Sequence, residues 1–339
     1  MTTILLFGGS SDERHVSVAS AQNVVRALGE GLAWFEAPNG AVHDVAPADL
    51  LAHRRPFEID YIPSRPAIFP SLEQALDTMP VDDPLVFLAL HGGAGEDGTV
   101  QRMLEERGIP FTGSGSEASA AAFDKERAKE IVRGRVRLAE SRVAHHPSQI
   151  RETIDDLLAR HPRIVLKPVA GGSSRGLYFL DDDGDRESVA AEIAQRGVPY
   201  IVEQFIAGRE LTCGVVDRGD GPFALPVLEI EVDPSRAFDY AGKYLGAGTR
   251  EICPANIPES LAKETQDTAL AAHLALRCEG YSRTDVVAND DGVWFLELNT
   301  LPGLTTSSLV PQELAAAGIA FRDFLESQIA LGRRRRVLV

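Results

Sequence analysis

Residues 281–309, YSRTDVVANDDGVWFLELNTLPGLTTSSL, restrict the fold more than any other stretch of the chain. Val286–Ala288 and Val293–Leu298 are strand-like runs, and Asn289-Asp290-Asp291-Gly292 supplies a turn between them. The pattern predicts a β-hairpin that runs into a Gly/Ser/Thr-rich loop. Side chains alternate faces along a strand, so Arg283 pairs with Asp285 on one arm and Glu297 with Asn299 on the other. A register that places residue 285 opposite 296 or 297 joins these four into one polar surface. Thr284, Val286, Trp294, Leu296 and Leu298 are then expected on the opposite, core-facing surface. Two carboxylates and an amide oxygen are hard ligands, few in number. They suit Mg²⁺ shared with substrate phosphates better than a Ca²⁺ cage or a Zn²⁺ site. The plainer alternative is a solvated polar face. Against it, Glu297 and Asn299 flank Leu298 inside an apolar run, where a carboxylate is costly without a partner or a metal.

The rest of the chain fits an ordinary cytoplasmic protein. At 339 residues it accommodates two or three domains. Its 50 acidic and 34 basic residues give a net charge of −16, which disfavours nucleic acid and anionic membrane as partners. The three cysteines, Cys213, Cys253 and Cys278, have no C-x-x-C spacing, which argues against disulfides and structural zinc. No apolar run approaches membrane-spanning length, and the apolar start at Ile4–Phe7 lacks the basic flank of a signal peptide.

Thr3–Phe7 reads as a buried strand, ending in Gly8-Gly9-Ser10-Ser11 and followed by a helix over about Val16–Leu28. The turn is not G-x-G-x-x-G, so no dinucleotide fingerprint is present. Glu13 stands at that helix start, where the dipole alone favours a carboxylate. Leu85–Leu90 is a second buried strand, running into the glycine-rich loop His91–Gly98, the kind of position where open α/β sheets bind ligands. His91 is either a substrate contact or a hydrogen-bonded loop histidine. A Gly113–Ser116 loop marks a domain boundary, and Asp124 is a plausible N-cap for a helix carrying Lys125 and Lys129 on one face. That face has a plain alternative, a solvated basic patch.

A second strong signal lies at 163–180. A strand ends in Lys167-Pro168, and a Gly/Ser loop, Val169–Gly176, leads into the strand Leu177–Leu180. Backbone N–H groups of such a loop can cradle phosphates, although this is no P-loop. Strands follow at Tyr200–Phe205, with Glu203, and at Leu211–Val216. Glu259–Cys278 has helical periodicity and Pro311–Leu331 supplies closing helices, with Arg333–Arg336 at the last helix end, where cations suit the dipole.

Six segments, FGGSSDERHVS, LHGGAGEDGTVQ, GSGSEASAAAFDKERAK, KPVAGGSSRG, FDYAGKYL and RTDVVANDDGVWFLELNTLPGLTTSSLVP, resemble in order the D-alanine–D-alanine ligase family of ATP-grasp enzymes. The resemblance implies an α/β and α+β fold of three domains, expected at 1–113, 114–203 and 204–339, with ATP between the last two. It implies Mg²⁺ (or Mn²⁺), two ions, and a homodimer. Lys125, Lys167 and Ser174 match phosphate ligands, Glu203 and Glu210 adenine and ribose contacts, and Lys243 a γ-phosphate contact. Phe205, Ile206 and Leu296 match the walls around the base. Asp285, Glu297 and Asn299 match the metal ligands. Glu13, Ser173 and Tyr244 match a triad over the first substrate, its tyrosine the pattern of dipeptide-forming members. Glu13 would also bind that substrate's ammonium. Arg283 and the Gly303 N–H match oxyanion stabilisers, while Ser308 and Leu309 match the acceptor-carboxylate site. His15, Gly171, Arg175 and Gln204 depart from the commonest pattern. The implied reaction joins two D-alanines through an acyl phosphate for peptidoglycan precursor synthesis. Two alternatives are a ligase of the same fold for other D-amino acids and an inactive nucleotide binder. The complete Arg283/Asp285/Glu297/Asn299 set disfavours the latter.

Overall fold

The structure, a computed structural model, describes residues 2–29, 31–172, 175–232 and 249–335. The N-terminal sheet has the order β3-β2-β1-β4, from β1 (Thr2–Gly8), β2 (Leu32–Glu36), β3 (Val42–Val45) and β4 (Pro84–Leu88). β2, β1 and β4 are parallel and β3 is antiparallel. Ile4, Leu6, Phe7, Trp34, Phe87 and Leu88 are buried in it, as expected for strands covered on both faces. Helix Arg14–Leu28 follows the first glycine turn and closes at Gly29 in the left-handed conformation.

The central sheet, β6-β9-β7-β8, is antiparallel: β6 (Ser141–Ala144), β7 (Arg163–Pro168), β8 (Tyr178–Asp181) and β9 (Tyr200–Gln204). It packs on helices Ile150–Leu158 and Arg186–Arg196, with a core of Ile150, Ile154, Leu157, Ile164, Leu166, Ile193 and Val202. The C-terminal sheet runs β13-β12-β10-β14-β15-β5, with β11 (Pro222–Ala224) paired to β10. Its strands are β5 (Arg137–Leu138), β10 (Arg209–Asp217), β12 (Leu228–Val232), β13 (Thr249–Ile252), β14 (Tyr281–Asn289) and β15 (Gly292–Asn299).

Packing crosses the expected divisions in two places. Helices Ser116–Phe123 and Lys125–Val132 lie on the C-terminal sheet, where Ala121, Ala122 and Val132 share a core with Phe295, Leu298 and Leu276. Asp124 caps the second of these helices by accepting from Arg127 N at 3.0 Å. Helix Phe321–Arg334 returns to the first domain, where Phe324 and Leu325 are buried with Leu85-neighbouring Val86 and Phe87. The terminal arginines do more than decorate a helix end. Arg335 lies 3.9 Å above the Phe111 ring and pairs with Glu279 at 2.5 Å, fastening the chain end beside Gly113.

Phe324 is fully buried, edge-on to Tyr281 at 5.3 Å between ring centroids. Phe324→Ala is expected to destabilise the protein by roughly 3–5 kcal/mol through the cavity it leaves. A fall in the denaturant midpoint, followed by near-UV circular dichroism, checks this.

Candidate active site

The hairpin pairs Arg283 with Asn299, Thr284 with Leu298 and Asp285 with Glu297, bringing the four polar side chains onto one face. Between Asp285 and Val286 the register shifts, so Val286 meets Phe295 and Val287 meets Trp294. Leu296 is the extra residue of a β-bulge. The two-residue loop Asp290-Asp291 and the alignment of the polar residues cannot both hold without it. The bulge corrects one expectation. Trp294 and Leu296 leave the core-facing surface and join Val287, Ile206 and Ala139 on the polar side, while fully buried Phe295 takes the core position.

Arg283 donates from Nε and Nη2 to the two oxygens of Asp285, at 2.9 and 2.8 Å, and Thr212 Oγ1 donates to Asp285 Oδ1 at 2.7 Å. Asn299 Oδ1 accepts from Leu301 N at 2.9 Å, which sets the orientation of its amide. Among the described residues no group of three or more His, Cys, Asp or Glu side chains forms a metal cage. Two carboxylates and one amide form an open half-site, and such a site fits a hard cation whose other ligands come from phosphate or water.

Cations gather beside this face. Lys125 Nζ lies 3.3 Å from Glu297 Oε2 and donates to the Gly171 carbonyl at 2.6 Å, tying the helix start to the Gly/Ser loop. Lys167 pairs with Glu203 Oε2 at 2.9 Å, and Lys129 pairs with the other Glu203 oxygen. Burial alone raises the Glu203 carboxyl, but the flanking ammonium groups of Lys167 and Lys129 overcome it and hold the group down at about 2. Lys129 was open to reading as part of a solvated patch, yet it is 3 % exposed, and burial lowers its ammonium. For Lys167, attraction to Glu203 and Glu297 outweighs burial and raises the ammonium. Glu203 therefore meets the site already engaged by two lysines, the arrangement that keeps Lys167 charged.

These groups form one end of a cleft of ≈ 500 Å³ between the central and C-terminal sheets, well within the range of small-ligand sites. Its other end is apolar, lined by Phe205, Ile206, Ile230, Val287 and Leu296, with Glu210 and Gln204 at its margin. Arg163 lies over the Phe205 ring at 4.5 Å and stiffens that wall. The cleft thus pairs a slot suited to a planar apolar ring with a cationic end suited to phosphates.

The N-terminal domain closes the polar end. A Cβ on Gly92 would stand 2.5 Å from Glu13 Oε2, and one on Gly172 would stand 3.5 Å from it. Glu13 therefore sits between the two glycine-rich loops. His91 is buried, with its ring bonded to Ser20 Oγ at 3.0 Å, and the Ser11 hydroxyl donates to its carbonyl. It is a hydrogen-bonded loop histidine that holds the strand end in place. Ser20 also accepts from Leu304 N at 3.1 Å, and Asn23 donates to the Leu304 carbonyl at 2.8 Å, docking the loop after the hairpin onto the first helix. Gly303 and Ser308 meet there, because a Gly303 Cβ would fall 2.6 Å from Ser308 Oγ. Leu309 opens the helix Leu309–Ala316 directly after Ser308. Of the departures, Arg175 pairs with Asp12 across the domains, and His15 pairs with Asp60 at 2.8 Å. Ser173, Ser174, Lys243 and Tyr244 lie outside the described residues.

Sequence reasoning missed two acids near Arg283. Glu313 is fully buried, accepts from Gly214 N at 3.0 and 3.1 Å, and is pushed up to about 8 by burial. Gly214 is the cross-strand partner of Arg283 and leaves no room for a side chain, since its Cβ would lie 2.6 Å from Glu313. Glu251 accepts from Gln312 Nε2 at 2.5 Å. Neither position belongs to a motif, and only the fold brings them to the site.

Two family models match the chain: D-ala D-ala ligase N-terminus over residues 2–114 and D-ala D-ala ligase C-terminus over 136–330. The D-alanine--D-alanine ligase of Leptospira interrogans is 35% identical over 349 residues, covering 98% of both chains. That of Desulfotalea psychrophila is 38% identical over 342 residues, covering 97% of this chain and 94% of the relative. Among solved structures, the VanG D-Ala:D-Ser ligase of Enterococcus faecalis superposes with a TM-score of 0.79 at 27% identity, covering 98% of this chain and 99% of that one. A D-alanine--D-alanine ligase of Bacillus anthracis complexed with ATP gives a TM-score of 0.74 at 25% identity, with 99% of both chains covered.

Glu203→Gln is expected to cost roughly 3–5 kcal/mol, because two buried ammonium groups lose their counter-charge. A carboxyl held near 2 in the fold and near 4.5 when unfolded stabilises above pH 4.5, and that contribution fades as pH falls toward 2. Denaturation of wild type and variant across pH 2–7 should therefore show the gap between them closing on the acid side.

Proposed function

The chain belongs to the D-alanine–D-alanine ligase family, and from that premise we infer that it is an ATP-dependent ligase joining two D-alanines for peptidoglycan precursor synthesis. The observation that carries the residue-level reading is the single polar face of the hairpin, set against a cleft with one apolar and one cationic end.

In this reading the apolar slot takes the adenine between Phe205 and Ile206 on one side and Leu296 on the other, and Glu210 reaches the ribose. Lys125 and Lys167 hold phosphates, with Lys243 and Ser174 completing the set. Glu203 keeps Lys167 charged and in place as well as facing the base. Asp285, Glu297 and Asn299 would hold Mg²⁺, two ions in this reading, with Mn²⁺ able to replace it; when bound, the metal neutralises charge on the phosphoryl group in transfer. The Arg283 side chain, fixed by two bonds to Asp285, cannot swing away from the reacting carbon.

Glu13 binds the ammonium of the first D-alanine, whose carboxylate then attacks the γ-phosphorus as the bond to the ADP oxygen breaks and ADP leaves. The free amine of the second D-alanine attacks the acyl carbon of the resulting acyl phosphate, the carbon–oxygen bond to phosphate breaks, and phosphate leaves with the amine proton lost to solvent. Arg283 and the Gly303 N–H receive the oxyanion of that attack. Ser308 and Leu309 hold the acceptor carboxylate, and Glu13, Ser173 and Tyr244 close over the donor. The Gly171–Gly176 loop keeps water from the acyl phosphate. Arg175, paired with Asp12, ties that loop to the N-terminal domain. None of the described helices is long and apolar enough to cross a membrane. A homodimer is part of the same reading, and sedimentation measures it.

With ATP, Mg²⁺ and D-alanine, the protein should release one phosphate per D-alanyl-D-alanine formed, and chelation of the divalent cation should abolish the activity. Across a panel of D-amino acids, weak turnover of D-alanine alone would shift the assignment to another acceptor. Asp285→Ala is expected to lower turnover roughly 100-fold or more. Wild-type activity in that variant would contradict the assignment of the hairpin.

A further inference from the structure

Glu251 stands on the edge strand β13, directly opposite Ile230, a residue that lines the cleft. Paired residues of adjacent strands share a face, so Glu251 is on the cleft side of the C-terminal sheet. Its Oε2 accepts from Gln312 Nε2 at 2.5 Å, and the same amide nitrogen donates to the Ser307 carbonyl at 3.1 Å. Burial raises the Glu251 carboxyl, and the Gln312 hydrogen bond and the nearby Arg283 guanidinium work against that rise. Glu251 is thus bracketed by the oxyanion-binding arginine and the loop that leads into Ser308.

That bracket has a chemical meaning in the proposed reaction, on which this inference rests. An acceptor amino acid whose carboxylate lies at Ser308 and whose nitrogen approaches the carbon above Arg283 spans the interval between them. Its ammonium group falls beside whatever lines that interval. Among the described residues, the carboxylate there is Glu251, to which Gln312 donates a hydrogen bond. Glu313 lies deeper, fully buried behind Gly214, whose N–H it accepts. We propose that Glu251 is the specificity residue for the acceptor's ammonium group, holding the second D-amino acid by a charge-assisted hydrogen bond while Gln312 holds Glu251. Glu13 serves the first substrate's ammonium, so the two amino acids would each have their own carboxylate, on different domains.

The competing explanation is that Glu251 only anchors Gln312 and the helix behind it. Glu251→Gln separates the two, because an amide oxygen still accepts from Gln312 but carries no charge. The donor half-reaction is read alone by trapping the activated D-alanine with hydroxylamine, and the full reaction by dipeptide formation. The expected result is unchanged hydroxamate formation with a KM for the second D-alanine raised roughly 10–100-fold, and substantial recovery in Glu251→Asp. Wild-type saturation by the second D-alanine in Glu251→Gln would overturn the proposal, as would an equal loss in both assays. A wild-type protein that forms no hydroxamate from D-alanine and ATP would instead remove the proposed function itself, so the two failures are distinguishable.

Discussion

One extra residue in β15 decides what the cleft is made of. Because Leu296 is bulged, Asp285 still faces Glu297 while Phe295 drops into the core against the helices. Leu296 and Glu297, neighbours in sequence, both turn toward the cleft, one to its apolar end and one to its cationic end. A regular strand puts neighbours on opposite faces, and could serve only one of those ends. The apolar slot and the polar half-site are continuous because the strand is irregular at this point.

Charge organisation builds on that geometry. Lys125 meets Glu297 from a helix that packs on the C-terminal sheet, while Lys129 and Lys167 converge on Glu203 from two different elements. Shared between two lysines, Glu203 stays ionised, and Lys167 reaches the cleft still charged. Arg283 shows the opposite arrangement. Asp285 grips it, Glu313 lies behind its strand partner and Glu251 approaches from the edge strand, so a strong cation is held still among acids.

How much of this was legible before folding depends on how local the signal is. The hairpin, its turn and its four polar residues were readable, because turn chemistry and period-two alternation are local. The bulge was not, since it arises from a two-residue loop and a polar alignment that conflict by one position. The helix bearing Lys125 and Lys129 was readable, but not the burial of Lys129, which depends on Glu203 more than 70 positions later. Strands β5, β6, β12 and β13 are short and carry little local signal, and β11, although it follows the turn at 217–221, has only three residues. Glu251 and Glu313 acquire meaning only through partners supplied by other elements. Helices Ser116–Phe123 and Lys125–Val132 pack on the C-terminal sheet and helix Phe321–Arg334 on the first domain, because their apolar partners lie there and not beside them in sequence.

If the bulged hairpin and the neighbouring lysines serve transfer of the γ-phosphoryl of ATP to a D-amino-acid carboxylate, D-alanine labelled with ¹⁸O in both carboxyl oxygens reports it. Each turnover should deliver one ¹⁸O from the donor into inorganic phosphate, because the bond broken in the second step is the carbon–oxygen bond of an acyl phosphate. Phosphate released without label, alongside normal dipeptide formation, would contradict it.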